Sequence, residues 1–319
     1  MAFRRRGWSV SMDAAFRVLA IVFACSVIFV LFLVALSLLG PALPILERFG
    51  PRFLTGVDWI PVVGREAYGA LPYVLGTIVT SGIALLVGVP LSLGIAIFLA
   101  EMAPSVIRTP VSFIIELLAA VPSVIYGLWG LFVLRFWIRD YVEAPLSTYL
   151  GFLPVFQGTP FGLDILTGGV ILAIMIVPTV SSVSREVLMA VPNGQREAAY
   201  SLGATRWEVV RVAVLAYARS GLVGAVILGL GRAVGETMAV TMVIGNAVGA
   251  AAIPTSLFKG GQTMASLIAN EFNEADPVSL HPSALIGVGL ILFVFALAIN
   301  ILARILVQRV LKTRGGVVE

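Results

Sequence analysis

Cysteine and histidine are nearly missing from this chain. The single cysteine, Cys25, lies inside a long apolar run, so an intrachain disulfide and a cysteine metal site are both excluded. The single histidine, His281, excludes a multi-histidine metal site and leaves no plausible catalytic triad. We expect His281 to be a solvated loop residue. The sequence therefore lacks the residue sets that most metalloenzymes and serine or cysteine hydrolases use.

Charge is also scarce. Only 12% of the 319 residues are charged and 59% are hydrophobic, whereas a soluble domain has about a quarter charged residues. This composition predicts an all-α polytopic membrane protein, because lipid offers no partner to backbone groups and a helix satisfies its own. The formal net charge of +4 fits the orientation needs of a membrane protein and does not require nucleic acid as a partner.

The phosphate-binding loop of nucleotide hydrolases is missing as well. The G-x-x-x-x-G-K-[ST] pattern does not occur, and the nearest glycine cluster, at 229–236, contains no lysine. If transport by this chain requires ATP, another chain must hydrolyse it. We expect no metal, no cofactor and no enzymatic reaction in this chain itself.

Six apolar segments are long enough to cross a bilayer, which takes about 20 residues of helix. The first is longer than the apolar part of a cleaved signal, about 7–15 residues, so we expect it to remain as a span. The third should begin with Thr109 as N-cap and Pro110 as its first helical residue. The predicted spans lie near 14–40, 72–100, 109–134, 166–190, 218–246 and 284–308.

Basic residues divide unevenly between the two sets of connecting segments. One set, near 41–71, 135–165 and 247–283, contains six of them. The other set, which includes both termini, the link at 101–108 and the loop at 191–217, contains fourteen when the span ends are counted. The positive-inside rule therefore predicts that both termini and the 191–217 loop are cytoplasmic, in a chain of the inner membrane.

A charged, amphipathic stretch at 195–211 separates the fourth and fifth spans. It predicts two short helices hinged at Gly203, and the spacing of Thr205 and Glu208 is that of a capping box. A membrane protein that exposes such an element has a surface for a partner protein. The apolar face of the second helix is predicted to consist of Trp207, Val210 and Val214.

An arginine lies near the middle of the fifth predicted span. This residue is Arg232, and an arginine at that depth raises the free energy of membrane insertion by about 2.5–3.5 kcal/mol on insertion scales. Glu236, four residues later, should lie on the same helix face. We predict that both line the path of an anion, because an arginine fork matches phosphate or sulfate. The alternative is an inter-helix ion pair that fixes packing. Gly231 and Gly235 form a G-x-x-x-G pattern, which favours close approach of another helix over substrate contact.

Other polar groups within the spans have simpler interpretations. Glu116, near the cytoplasmic end of the third span, is a solvated carboxylate or a functional one. Two spans contain proline beside hydroxyl groups, which indicates kinks whose freed carbonyls the hydroxyls satisfy, with path lining as the alternative. These groups are Pro122, Ser123 and Tyr126 in the third span and Pro178, Thr179, Ser181, Ser182 and Ser184 in the fourth.

The charged stretch resembles the cytoplasmic signature of ABC-importer permeases, E-A-A-x-x-x-G. Glu197, Ala198, Ala199 and Gly203 match it in type and spacing. The end of the signature differs, because residues 213–216 are Ala-Val-Leu-Ala where the family has a β-branched residue and a proline. The resemblance implies that the four matching residues couple the chain to an ATPase subunit.

Longer segments resemble one subtype of this family, the phosphate-specific permeases of the PstC type. The resemblance implies a type I ABC importer permease fold with six transmembrane helices and import of inorganic phosphate past Arg232 and Glu236. It implies three kinds of partner: a second, PstA-like permease, a dimer of PstB-like ATPase subunits, and an extracytoplasmic PstS-like phosphate-binding protein. The resembling segments lie at 120–131, 231–240 and 263–272.

The resemblance also divides the chain. Residues 1–71 would form an N-terminal tail, an extra first helix and an outer loop; 72–308 the transmembrane core; and 309–319 a cytoplasmic tail. Two other functions remain compatible with the residues. An ion-driven secondary anion carrier would transport phosphate as a purified chain without ATP, and a signalling scaffold would not transport it at all.

Overall fold

The computed structural model describes residues 5–312, and side chains between 14 and 305. Within these bounds most residues are helical, and the strands are a two-residue antiparallel pairing of β1 (Trp59–Ile60) with β2 (Ala67–Tyr68). This confirms the all-α membrane architecture. Five helices are long and apolar enough to cross a membrane, and a bent pair provides a sixth span.

The α-helices are numbered here in chain order, within residues 5–312. Four further segments are π-helical and two are 3₁₀ turns. The helices are α1 (Arg5–Phe49), α2 (Arg52–Thr55), α3 (Leu71–Ile97), α4 (Ser105–Ala120), α5 (Ser123–Trp129), α6 (Arg135–Ile138), α7 (Ala144–Leu150), α8 (Ile165–Met189), α9 (Asn193–Ser201), α10 (Arg206–Val209), α11 (Leu215–Gly235), α12 (Met238–Val243), α13 (Met264–Glu271) and α14 (His281–Lys312). The π segments are Phe98–Met102, Gly130–Leu134, Arg139–Glu143 and Val210–Val214, and the 3₁₀ turns are Pro154–Phe156 and Gly249–Ala252.

The third predicted span is not one straight helix. It is bent by 93° between α4 and the run that starts with α5. The bend lies at Val121 and Pro122, because proline drives the residue before it out of the helical region. Tyr126 donates from its hydroxyl to the carbonyl oxygen of Leu118 at 2.9 Å, which satisfies a backbone group freed by the bend, as predicted.

The predicted start of that span is also wrong. The helix begins at Ser105 after the extended residue Pro104, so Thr109 is not its N-cap and Pro110 lies inside α4. The amide of Arg108 donates to the carbonyl of Pro104, which closes the first turn upstream of Thr109. Pro104 therefore sets the boundary that the sequence pattern assigned to Pro110.

The fifth predicted span differs at both ends. The helical run starts at Arg206, passes through the π segment Val210–Val214 and ends at Gly235, so it does not continue to residue 246. Residues 236 and 237 are not helical, and α12 follows as a separate short helix. Because the proline of the family signature is missing from 213–216, nothing interrupts the helix after the charged stretch.

Helices α3 and α8 form the tightest pair in the core. A side-chain carbon at Gly88 would lie 2.8 Å from Ile176, and one at Gly169 would lie 2.6 Å from Ile83. The two glycines therefore let the helix backbones approach closely, as small residues do between membrane helices. Leu172, Ile176 and Val180 of α8 are buried in the resulting core together with Ala84 and Ala225.

The three predicted outer loops pack together at one end of the bundle. The indole of Trp59 donates to Glu271 at 2.8 Å, and the amide of Leu257 donates to the carbonyl of Val155 at 2.9 Å. The ring of His281 also contacts Glu271, at 2.8 Å. His281 is buried as the first residue of α14, so the prediction of a solvated loop histidine is wrong.

Helix α1 lies at the periphery of the bundle. From Ala14 to Leu39 its side chains are mostly exposed, including that of Cys25, whereas Ala42 and Ile45 near its other end are fully buried. Ile45 packs with Phe53 against α14, where a side chain at Gly287 would come within 2.9 Å of the Phe53 ring. One end of α1 therefore anchors it to the rest of the chain.

Candidate functional site

Arg232 lies on α11 and points toward α8. Its Nη1 donates to Thr179 Oγ1 at 2.9 Å, and the residue is half-buried. Thr179 is the only acceptor for Arg232 among the described side chains and backbone groups, although a guanidinium has five N–H donors. Most of its donors are therefore available for an anion, and the Thr179 bond holds the group in place.

Glu236 does not occupy the position that the spacing predicted. Helix α11 ends at Gly235, and Glu236 has an extended backbone with φ −70° and ψ 130°. Its carboxylate accepts from the amide of Ala239 at 3.3 Å, so it satisfies a backbone group of α12. No ion pair joins Arg232 and Glu236 in the described part of the chain. The i to i+4 relation fails because the helix that it assumed ends between the two residues.

The G-x-x-x-G pattern does not mediate packing within the described chain. A side-chain carbon at Gly231 or at Gly235 would meet nothing within 4 Å, and both glycines are exposed. The close approach occurs instead at Gly229, where the added carbon would lie 2.5 Å from Val180 of α8. The open glycines flank Arg232 on a face that α8 leaves uncovered.

Polar groups of α8 and α4 extend from Arg232 toward the end of the bundle that carries the charged stretch. Ser181 donates to the carbonyl of Pro178 at 3.2 Å, which matches the predicted pairing of hydroxyls with backbone near the proline. Thr179 contacts Arg232 instead, so one hydroxyl of the group adjoins the candidate path. Glu116 is exposed and lies 3.4 Å from Arg185, a solvated ion pair.

The charged stretch forms two short helices, as predicted. Gly203 separates α9 from α10 with φ +83°, a left-handed conformation that glycine adopts without strain. The capping box is present, because the backbone amide and the hydroxyl of Thr205 both donate to Glu208, at 2.7 and 2.8 Å. The hydrogen bond from the Thr205 amide, and to a smaller extent the one from its hydroxyl, lowers the pKa of Glu208.

The signature residues differ in exposure. Glu197 and Ala198 are exposed, while Ala199 is half-buried and packs on Val209 and Val214 of the segment that follows Gly203. The two short helices therefore form one packed unit. They leave the side chains of Glu197 and Ala198 on the outside of that unit.

The predicted apolar face of the second helix is only partly correct. Val210 and Val214 are buried, but Trp207 is 56% exposed, and Val209 takes its place in the core. At about 100° per residue the buried face is centred between Val209 and Val210, and Trp207 lies about 110° from that centre, outside the core.

Two residues that the sequence patterns did not single out tie this loop to the bundle. Arg196 of α9 donates to both carboxylate oxygens of Glu101, at 2.7 and 3.3 Å, and to the carbonyl of Leu188 at 2.9 Å. It also donates to Val191 and Asn193. Glu101 is 95 positions away in sequence, and no local pattern indicates such a pair.

A buried carboxyl pair lies at the opposite end. Asp164 caps α8 by accepting from the amide of Thr167 at 2.9 Å, and Glu143 accepts from the amide of Gly162 at 3.0 Å. Both carboxyl groups are fully buried. Burial, and next the neighbouring Glu143 carboxyl, raise the pKa of Asp164 to about 8. Asp164 therefore holds a proton near neutral pH.

The family described as "Binding-protein-dependent transport system inner membrane component" matches residues 92–312. The chain belongs to this family. The matched region contains the charged stretch at 195–211, helices α4 to α14 and the last part of α3.

Known members of this transport family are similar over nearly the whole chain. The phosphate transport system permease protein PstC of Haemophilus influenzae is 46% identical over 308 residues, covering 95% of this chain and 96% of that one. The corresponding protein of Mesorhizobium japonicum is 45% identical over 93% of this chain and 90% of that one. The probable PstC of Methanocaldococcus jannaschii is 38% identical over 86% and 88%.

Solved structures of ABC importers share the fold. An inward-facing MetNI methionine transporter aligns with a TM-score of 0.52 at 17% identity, over 76% of this chain and 94% of that one. A bacterial transporter involved in import of the acidic polysaccharide alginate aligns at 0.53 and 19%, over 75% and 79%. The chain therefore has the type I ABC importer permease fold. The family match and the relatives of 45–46% identity show that it is a multi-pass permease subunit of an ABC transporter complex.

Proposed function

We propose that this chain is the permease subunit of an ATP-driven importer that moves inorganic phosphate across the inner membrane. The observation that supports it most is the 46% identity over 95% of the chain to a phosphate transport system permease. The chemistry of the site agrees, because Arg232 keeps several N–H donors free in a span where an unneeded arginine would be costly. Guanidinium donors match the oxygens of phosphate.

Arg232 and Glu236 line the phosphate path in this proposal. Arg232 receives the anion on the open face flanked by Gly231 and Gly235, where a side chain would meet nothing within 4 Å. Glu236 lies at the helix break immediately beyond, and its negative charge keeps the anion from remaining bound to the arginine. A site that attracts and then repels the same ion permits passage, since transport needs release as well as binding.

Glu197, Ala198, Ala199 and Gly203 form the coupling element. The exposed Glu197 and Ala198 face the ATPase subunit, while Ala199 packs inside the loop and Gly203 supplies its tight turn. ATP-driven closure of the ATPase moves this unit as one body. The packed cluster around Val209 and Val214 supports that role, because a rigid element passes on a displacement that a flexible one would absorb.

The proposed assembly contains a PstA-like second permease, two PstB-like ATPase subunits and a PstS-like extracytoplasmic phosphate-binding protein. Both termini and the 191–217 loop are cytoplasmic, and the joined loops around Trp59 and Glu271 face the binding protein. Residues 72–308 are the transmembrane core, and 1–71 an N-terminal part that is peripheral up to about residue 40. Most of the proposed tail at 309–319 lies outside the described residues. The low burial of α1 before residue 40 supports that division.

The test is reconstitution of this chain with its partners in lipid vesicles. We expect radiolabelled phosphate to accumulate only when ATP and the binding protein are both supplied on their proper sides. Uptake by this chain alone, driven by an ion gradient and indifferent to ATP, would overturn the proposal and favour a secondary carrier.

A further inference from the structure

The contact between Arg196 and Glu101 joins three parts of the molecule that are far apart in sequence. Arg196 belongs to α9 and Glu101 to the π segment Phe98–Met102 that follows α3. The carbonyl acceptors are Leu188, at the end of α8, and Val191, just beyond it. A single guanidinium thus bridges the coupling loop and the ends of both core helices. Helices α3 and α8 already pack directly through Gly88 and Gly169, so holding these two helices together does not by itself require the contact at Arg196.

The bridge is largely shielded from water. The side chains of Arg196 and Glu101 are 18% and 12% exposed, so solvent and salt screen their attraction much less than at a surface. Among the other ion pairs with described side chains, those at Arg48, Glu116 and Asp140 each have a partner that is more than 50% exposed, and His281–Glu271 is buried to a similar degree, at 9% and 18%. Removing one partner at Arg196 would leave the other charge poorly solvated and unpaired.

The chemistry of the bridge requires arginine in particular. The guanidinium fork donates to both oxygens of Glu101 and, from its other edges, to backbone carbonyls at the end of α8. A lysine has three donors on one nitrogen and cannot span these acceptors in the same way. Arg196 therefore fixes direction as well as distance between the loop and the two helices.

We propose that Arg196 and Glu101 are the positioning pair that transmits the movement of the coupling loop to α3 and α8. Glu197 and Ala198 contact the ATPase from the outer face of α9, and Arg196 carries the displacement inward to the helix ends. The π turn that holds Glu101 is a segment type often found at functional positions, and its carboxylate is the attachment point on α3. This inference rests on the proposed function.

The experiment measures phosphate imported per ATP hydrolysed by the complete transporter in vesicles. Arg196→Gln and Glu101→Gln should each lower this ratio about tenfold while ATP hydrolysis continues. The double variant should be no worse than the poorer single variant, because both changes remove the same contact. The exchanged pair Arg196→Glu with Glu101→Arg should recover part of the ratio.

The matched control is Arg211→Gln, which removes an exposed arginine of the neighbouring π segment and should leave the ratio unchanged. If the single variants keep the wild-type ratio, or if their effects multiply in the double variant, the inference is wrong. If a Gln variant fails to assemble, Arg196→Lys retains the charge, and a wild-type ratio in that variant would equally overturn the inference. Absence of ATP-dependent uptake by the wild-type complex would instead contradict the proposed function.

Discussion

At the scale of single residues, Arg232 is an arginine in a membrane span whose guanidinium is only partly hydrogen-bonded. Arg232 is oriented by one hydrogen bond to Thr179, and this bond leaves the rest of its fork unoccupied by described groups. An arginine retained only for packing would be expected to have a carboxylate partner. The nearby Glu236 is committed to an amide of α12 instead.

Replacing Arg232 tests its role on the anion path. Arg232→Gln should lower phosphate uptake about 10–100-fold, since it removes charge-assisted hydrogen bonds worth about 1.5–3 kcal/mol, and Arg232→Lys should retain part of the activity. The measurement is the initial rate of ATP-dependent uptake at matched amounts of assembled complex. Arg219→Gln on the same helix is the control for loss of a positive charge, and full uptake by the Arg232→Gln variant would exclude the path role.

The buried carboxyl pair predicts how stability changes with pH. The pKa of Asp164 rises from 3.8 to about 8 on folding. The stability that this group adds to the folded state is therefore fully present below about pH 4 and is lost as pH rises toward 8. The melting temperature of the purified protein should therefore fall over this range relative to an Asp164→Asn variant. Asparagine preserves the cap on Thr167 and does not titrate.

The exposed Asp140 supplies the control for that measurement. Its pKa is lowered by hydrogen bonding with Arg139, so Asp140→Asn should leave the slope between pH 4 and 8 unaltered. Equal slopes in the wild type and in the Asp164→Asn variant would mean that the pair does not hold a proton in this range.

At the scale of elements, substitutions at Gly203 distinguish a restriction by backbone conformation from a restriction by steric clash. A side chain there would meet nothing within 4 Å, so only the positive φ restricts substitution. Gly203→Val should destabilise the turn by about 1–2 kcal/mol and lower phosphate imported per ATP. Gly203→Asn should be milder, because asparagine tolerates this conformation, and equal effects of the two changes would contradict the conformational explanation.

The neighbouring alanines test the docking role of the same loop. Ala198 is exposed and Ala199 is half-buried, so Ala198→Glu should uncouple ATP hydrolysis from uptake without lowering the melting temperature of the isolated permease. Ala199→Glu should do both, because it forces a charge against Val209 and Val214. Normal coupling in the Ala198→Glu transporter would remove the main support for docking at this face.

Elements were predictable from the sequence wherever their determinants are local. The capping box of Thr205 and Glu208, the turn at Gly203 and the length of α8 all follow from spacing and hydropathy. The break after Gly235 was not predicted, because no proline marks it and the hydropathy pattern continues through α12, although the contact that accompanies it, from the amide of Ala239 to Glu236, is local. The pair of Arg196 and Glu101 was missed for a different reason, because its two residues lie 95 positions apart and only the fold brings them together.

At the scale of the whole molecule, α1 is attached by one end. Ile45 is fully buried beside Phe53, whereas Phe29 is 59% exposed on the same helix. Ile45→Ala should lower the stability of the protein by about 2–5 kcal/mol, as other large-to-small core changes do, and Phe29→Ala should have little effect. Thermal unfolding of the purified chain in detergent measures both, and equal losses would contradict the one-ended attachment.

The 93° bend in the third span has a consequence for the order in which the chain is made. Gly127 and Gly130 of the run beyond the bend lie against Ala239, Met242 and Val243 of α12. Those residues leave the ribosome only after more than a hundred further positions, roughly 5–20 s later at ordinary synthesis rates. Until then Gly130 can meet Ile171 of α8 but Gly127 has no neighbour, so the final placement of the half-span must wait until synthesis of the chain is well advanced.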